Sequence, residues 1–419
     1  MVALGGWGCV MSGTPPRWSA WRVVTGFGFL SLAVDIVSDG GSSLAGPLLG
    51  QLGASALVVG LVTGTGEAIG LGLRLATGPW ADRTRRYWTF TVVGYALTVI
   101  CIPLLALAPF VGGAGLAVAS ILIIGDRTGK AVRSPAKTVL LASAAGSVGR
   151  GRGFAVHKAL DQTGSLLGPL VVAGVIALTT VLWPAFAVLA VPGALALALL
   201  AVIRMRVPDV SVYDTKLDRA AGAATDGSDP PPRLPPTFYP FAAAAFAANA
   251  GLVTYGVISF HVTKAGLVPL SAVPLVYAAA MAAGAIAALA SGYIYDKKGT
   301  NVLLALPFLI ALVPGLALSN QIGAVILGVV AWGAASGIQE STVKAMVADL
   351  VPSARRATAY GIFAAFEGAG ALVGGVLSGA LYGRLGLLIL VVILLQVCTL
   401  VLLVLTVRKQ RRRDLSAAN

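Results

Sequence analysis

GPWADRTRR (residues 78–86) and GYIYDKKGT (residues 292–300) share the pattern Gly-x-x-x-Asp-basic, and each closes a long apolar run. A second pair, FAVHKALDQTGSLLGP (154–169) and YGIFAAFEGAGALVGG (360–375), sets Asp161 opposite Glu367, Gly164 opposite Gly370 and Gly168 opposite Gly374. The mates lie 214 residues apart in the first pair and 206 in the second. Two matches at nearly one offset mark an internal duplication, and so two halves of one architecture.

Composition says what the halves are made of. Hydrophobic residues make up 57% of the 419 and charged residues only 11%, whereas a soluble domain carries about 25% charged residues. Crossing about 30 Å of hydrocarbon takes roughly 20 apolar residues. Breaks at turn residues and charge clusters give spans near 22–48, 54–79, 87–108, 113–140, 152–178 and 183–204, then 237–262, 269–295, 300–318, 321–350, 357–383 and 385–407. The expected fold is an all-α integral membrane protein with twelve transmembrane helices in two pseudo-symmetric six-helix bundles. It divides into a tail (1–19), a first bundle (20–204), a polar Asp-, Gly- and Pro-rich linker (205–236), a second bundle (237–407) and a basic tail (408–419). The 52 glycines suit helices that approach closely in lipid.

The net charge of +14 lies between the spans, which excludes a nucleic-acid reading. Of the 30 basic residues, 21 fall on one side, in the tails, the linker and loops such as Arg83, Arg85 and Arg86, and only Lys264 and Arg384 on the other. The positive-inside rule then places both termini in the cytoplasm of a plasma (inner) membrane. The first twenty residues show no apolar core followed by a cleavage site, so no secretory leader is expected. Cys9, Cys101 and Cys398 are too far apart in sequence to suggest a disulfide framework or a metal site.

The loop GPWADRTRR resembles the signature between helices two and three of the major facilitator superfamily, with Gly78, Asp82 and Arg83 in register and Arg85 where a second glycine is expected. The later copy, with Gly292 and Asp296, keeps that glycine as Gly299. The resemblance covers nearly the whole chain and implies alternating access, with these loop residues gating and Asp82 latching an outward-facing state. DIVSDG (35–40), DRTGKAVRSPAK (126–137) and GFAVHKALDQTGSLLGP (153–169) look like a prokaryotic branch of that superfamily with no assigned substrate. GSLLGP, with Gly164, Gly168 and Pro169, resembles part of the fifth-helix signature of antiporters, although Val172 and Ala173 stand near an expected glycine pair. It inclines the reading toward export.

Seven basic residues remain inside spans, where a charge costs about 2.5–3.5 kcal/mol unless it faces protein, water or a partner. Asp126, Lys130, Arg133 and Lys137 are spaced four, three and four apart, along one stripe of the fourth helix. Arg127 lies beside that stripe. Asp35 and Asp39 share a face of the first helix, Glu67 and Arg74 of the second, and His157 and Asp161 of the fifth. In the second half Glu340 and Lys344 repeat the spacing opposite Arg133 and Lys137 and suggest a gate pair. Pointed at a common interior, these groups serve proton coupling or substrate binding, with Asp35 the leading proton carrier. The alternatives stay open. On the competing reading the carboxylates and bases are structural ion pairs that fix helix packing, and His157 is a packing residue.

GDRTGKA (125–131) is not a phosphate loop, having three residues between its glycines and Ala131 where Ser or Thr would hold magnesium. No hydrolase signature occurs, so no catalytic residue, metal or cofactor is expected. The reading is a secondary active transporter of a small solute, proton-coupled and inclined toward efflux of a drug-like molecule or metabolite. It is expected to work as a monomer in the lipid bilayer. The alternatives are an uptake transporter or facilitator for an organic anion or nutrient, and a non-transporting membrane sensor or assembly partner of the same fold.

Overall fold

Inside hydrocarbon each backbone N–H and C=O must be satisfied within its own segment, which leaves helices as the spanning element for these apolar runs. The computed structural model of the chain describes residues 18–209, 211–213, 234–351 and 355–418. Arg17, most of the linker with Lys216, Arg219 and Arg233, and the tail side chains from 410 onward lie outside the described residues. Among the described residues there is no β-strand.

The first half comprises α1 (Ala20–Ser43, extended by Ala45–Gln51), α2 (Ala56–Thr84, interrupted at Leu73), α3 (Tyr87–Leu104, tightening into a 3₁₀ turn to Phe110), α4 (Gly115–Gly146), α5 (Arg150–Thr179) and α6 (Trp183–Arg206, interrupted at Leu189). The second comprises α7 (Phe238–Lys264, interrupted at 252–254), α8 (Val273–Lys298), α9 (Leu306–Ala317), α10 (Ile322–Leu350), α11 (Arg356–Ala380) and α12 (Leu385–Ala418). Ser19 and Ser55 cap α1 and α2, accepting from the backbone N–H of Arg22 and Val58.

By length and apolarity alone, ten segments qualify as membrane-spanning. The stretch Leu270–Ala317 holds two of the twelve helices, α8 and α9. The remaining helix is α4, whose own charged stripe disqualifies it on hydropathy. α12 is longer than the expected span and runs as one helix to Ala418. The basic tail therefore continues the helix, because Lys, Arg and Gln are good helix formers once the chain reaches water.

The duplication is visible in the packing. α5 lies on α1, where a Cβ on Gly164 or Gly168 would strike the backbone of Leu32, Ile36 and Gly40. α11 lies on α7 in the same way, with Gly370 and Gly374 against the backbone of Phe246, Asn249 and Leu252. Across the halves, α2 runs along α11 and α5 along α8. Gly60 and Gly64 meet Gly375, and Gly368 meets Ala68, at separations that leave no room for a side chain. Such close approach replaces the hydrophobic drive that helices lack in lipid.

The loop signature also acquires a reason for its glycine. Gly299, after α8, sits at φ 70° and ψ −158°, and Arg85, at the matching position after α2, also has positive φ, in the left-handed helical region at φ 51° and ψ 19°. A non-glycine residue there costs about 1–2 kcal/mol. Arg85→Gly is therefore expected to raise thermal stability in detergent by about 1 kcal/mol. Gly168→Val should lower it by about 1–3 kcal/mol through overpacking, whereas Gly113→Val, which has open space, should leave the unfolding midpoint unchanged.

Candidate functional site

The polar groups of the first half gather where α1, α4 and α5 meet. Ser31 of α1 is the hub: Lys137 Nζ donates to its Oγ at 3.1 Å, and His157 Nε2 lies 3.0 Å from the same oxygen. One turn further along α1, the buried carboxyl of Asp35 is within hydrogen-bonding reach of Asp161 on α5. Lys158 Nζ closes an ion pair with Asp161 at 2.7 Å, while its side chain remains 61% exposed. His157 is thus bonded to Ser31 and not to Asp161, which takes Lys158 and Asp35 instead.

The i, i+4 pair on α1 is split by its partners. Asp39 accepts a hydrogen bond from Tyr277 of α8 at 3.2 Å, so it joins the two halves. Glu67 pairs with Arg127 at 3.2 Å, and Arg127 also donates to Ser42 at 3.0 Å. Arg74 is left with its buried Nε unpartnered. Asp126 accepts from Ser38 at 3.2 Å. Arg133, also buried, donates to Thr98 at 2.6 Å and stacks over Tyr95 with its guanidinium carbon 5.0 Å from the ring centroid. It has no carboxylate partner among the described residues.

Charged groups of the two halves also act on one another across the gap between α2, α4, α5 and α10. Glu340 is exposed, and the cations acting on it are Lys344 on its own helix and Lys158, Lys130 and Arg74 across the gap. None of these four approaches Glu340 within ion-pair distance among the described residues, so Glu340 and Lys344 form no closed gate pair here. The helix that carries Glu340 changes its winding at this point, with Gln339–Val343 forming a π turn. A π turn points successive side chains differently from an α-helix and recurs at functional sites.

The space is shut at the end away from the basic loops. There Thr63 bonds Thr254 at 2.9 Å, Tyr277 holds Asp39, and Gly46 sits flush against the backbone of Gly256 and Phe260. At the basic end Asp82 accepts from Tyr87 at 3.1 Å and makes no ion pair among the described residues, and Arg83 is exposed. Gly78 sits beside Pro135 of α4, and Thr77 ties α2 to α4 through Ala131 O at 3.0 Å. Gly292 lies beside Ser341 of the π turn, and Asp296 lines a cavity of about 580 Å³ with Asn301 and Asp349. The halves thus meet at the end away from the basic loops, while Lys158 and Glu340 remain exposed.

Sequence reasoning did not single out Ser31, Tyr95, Thr98, Thr63, Thr254 or Tyr277. Each is a hydroxyl in an apolar span, the one signal available. Lys158 was visible as an intramembrane cation but lies beside the His157–Asp161 face. No grouping of His, Cys, Asp and Glu suited to a metal ion occurs among the described residues.

A family model described as Major Facilitator Superfamily matches residues 28–339 and 301–419. An uncharacterized protein of Mycobacterium tuberculosis is 48% identical over 392 residues, covering 93% of this chain and 94% of its own. Among solved structures, the nucleoside transporter NupG aligns over 92% of this chain and 99% of its own, with a TM-score of 0.70 at 14% identity. A bacterial homolog of the human lysosomal transporter Spinster, inward-facing and occupied, aligns over 97% and 98%, with a TM-score of 0.64 at 16% identity.

The open and closed ends make a direct experiment possible. In a background without Cys9, Cys101 and Cys398, Lys158→Cys and Glu340→Cys should react with a membrane-impermeant maleimide applied from the face bearing the 83–86 loop. Thr63→Cys and Tyr277→Cys should be protected from either face. Equal labelling of all four from both faces would contradict the closure described.

Proposed function

The chain belongs to the major facilitator superfamily, and from that premise we propose that it is a proton-coupled secondary active transporter of a small solute, working by alternating access. The observation that carries the reading is the contact of Asp35 with Asp161 beside the exposed Lys158. Two carboxyls in contact repel unless a proton lies between them. Lys158, reachable from the open side, offers the exchange route. Release of that proton sets two negative charges against each other and strengthens the hold of Asp161 on Lys158, so the proton and that cation are coupled.

The basic face is the cytoplasmic face of the plasma membrane in this reading, so the closed end is extracellular and the conformation inward-facing. Asp82, bonded only to Tyr87, is a released latch that engages when the cytoplasmic end closes. Glu340 then meets Lys158, Lys130 or Arg74 and takes the place of the lost substrate contacts. Export by antiport is favoured by the partial signature GSLLGP, which fits Gly164 and Gly168 tightly onto α1. A second reading, uptake of an organic anion, draws on the excess of cations around the open space, where Lys130, Arg74 and Lys344 outnumber Glu340.

Everted vesicles test the coupling. Asp35→Asn and Asp161→Asn should abolish substrate-driven proton flux while substrate counterflow, which needs no net proton movement, persists. Proton flux equal to wild type in both variants removes the coupling assignment. The sign of the wild-type flux separates export from uptake.

A further inference from the structure

The second half contains a buried acid that the coupling scheme leaves unused. Glu367 on α11 is 6% exposed and has neither a hydrogen bond nor an ion pair among the described residues. It lines a small internal cavity of the second bundle, with about 10 Å³ open to the centre of a water molecule, which is room for one. Asn249 of α7, Gln339 of the π turn and Thr399 of α12 line the same cavity amid apolar walls. Gln339 is 8% exposed, and its side-chain amide nitrogen has no hydrogen-bond partner. A carboxylate held in an apolar bundle without a cation or N–H donor is costly, and so is an orphaned amide beside it.

The internal repeat gives this cluster a meaning. Gly164 packs on Leu32 and its mate Gly370 packs on Phe246, so α1 maps onto α7 with an offset of 214 residues, that of the loop repeat. Under that mapping Asp35 corresponds to Asn249, and Asp161 corresponds to Glu367. The acid pair of the first half is thus repeated in the second with one carboxyl exchanged for an amide. In the first half Lys158 neutralises Asp161, whereas the residue matching Lys158 is Ala364. Glu367 has lost the fixed cation and kept the carboxyl.

We propose that Glu367 is a second proton-binding site, in which the carboxylic acid sits between the amides of Asn249 and Gln339 and exchanges its proton with the central space across the π turn. An amide pair suits a neutral acid, since one amide oxygen accepts the acid O–H and the other N–H donates to its carbonyl. Asn249 commits its own N–H₂ to Ala245 O at 3.0 Å, which leaves its oxygen as the acceptor, and the orphaned nitrogen of Gln339 supplies the donor. The wall between this site and the open space is a single residue step, because Gln339 is buried while Glu340 beside it is exposed. Thr342 bonds Ser291 at 2.6 Å and Ser341 bonds Ala288 O at 3.3 Å, so the π turn is pinned to α8. The charges acting on Glu367 are Lys344 and Glu340 from α10 and Arg74 from α2, and α7 contributes none.

The inference rests on the transporter reading for its purpose but not for its test. Infrared difference spectra of the purified, lipid-reconstituted full chain should show a protonated-carboxyl C=O band at neutral pH. That band should vanish in Glu367→Gln and persist in Asp35→Asn and Asp161→Asn. Glu367→Gln mimics the neutral acid, so its thermal midpoint should match wild type, whereas Asn249→Asp should shift the band. A band unchanged by Glu367→Gln shows an ionised side chain and overturns the proposal. A band that disappears on replacing choline by sodium overturns it too, in favour of a metal cation. In transport, Glu367→Gln should keep counterflow and lose proton-driven accumulation. Normal accumulation in that variant removes the coupling role.

Discussion

A charge inside hydrocarbon must meet a partner, a polar group or water, and this requirement organises the molecule. It turns the stripe of α4 inward, sets Ser31, Ser38, Ser42 and Thr98 opposite its charges, and draws α1 and α5 onto it. Among the described residues of α4, only the stripe's neighbour Arg127 finds a carboxylate within ion-pair distance, in Glu67. Hydroxyls hold Asp126, Arg133 and Lys137. Hydroxyl partners satisfy a charge without cancelling it, so the first bundle retains charge among its helices.

The architecture was legible because hydrophobic length leaves few alternatives once the chain is committed to lipid. The duplication was legible because glycines at helix crossings have no substitute. α4 could be read as a span only through its i, i+3/i+4 charge spacing, since its mean hydropathy hides it. Pairings were less legible. The sequence places Glu67 and Arg74 on one face, yet Glu67 takes Arg127 of α4, and Asp39 takes Tyr277 from the other half. Spacing reports which residues share a helix face, but which face meets which neighbour is set by crossing angles that no local pattern contains.

The two halves have diverged along chemical lines while keeping their packing. Glycines at equivalent positions of α5 and α11 press on equivalent turns of α1 and α7. The polar neighbours changed instead: where Ser31 and His157 stand in the first half, Ala245 and Phe363 stand in the second, and Phe363 stacks on Phe241. The second bundle thus places apolar groups where the first has Ser31 and His157, while Asn249, Gln339 and Glu367 remain as polar groups around one cavity.

The glycine seam between α2 and α11 sets the mechanical character of the whole. From Gly60 and Gly64 to Gly368, Gly375 and Gly379 backbone lies on backbone, and a large side chain, that of Leu75, enters a hollow at Gly361 nearer the basic end. Along the glycines, two surfaces without teeth resist being pulled apart, since every van der Waals contact is lost at once, but oppose sliding only weakly. The seam behaves as a plain bearing. It keeps the halves in register while letting one shear past the other by fractions of a helical turn, the small-amplitude motion from which helix-packed proteins build larger rearrangements.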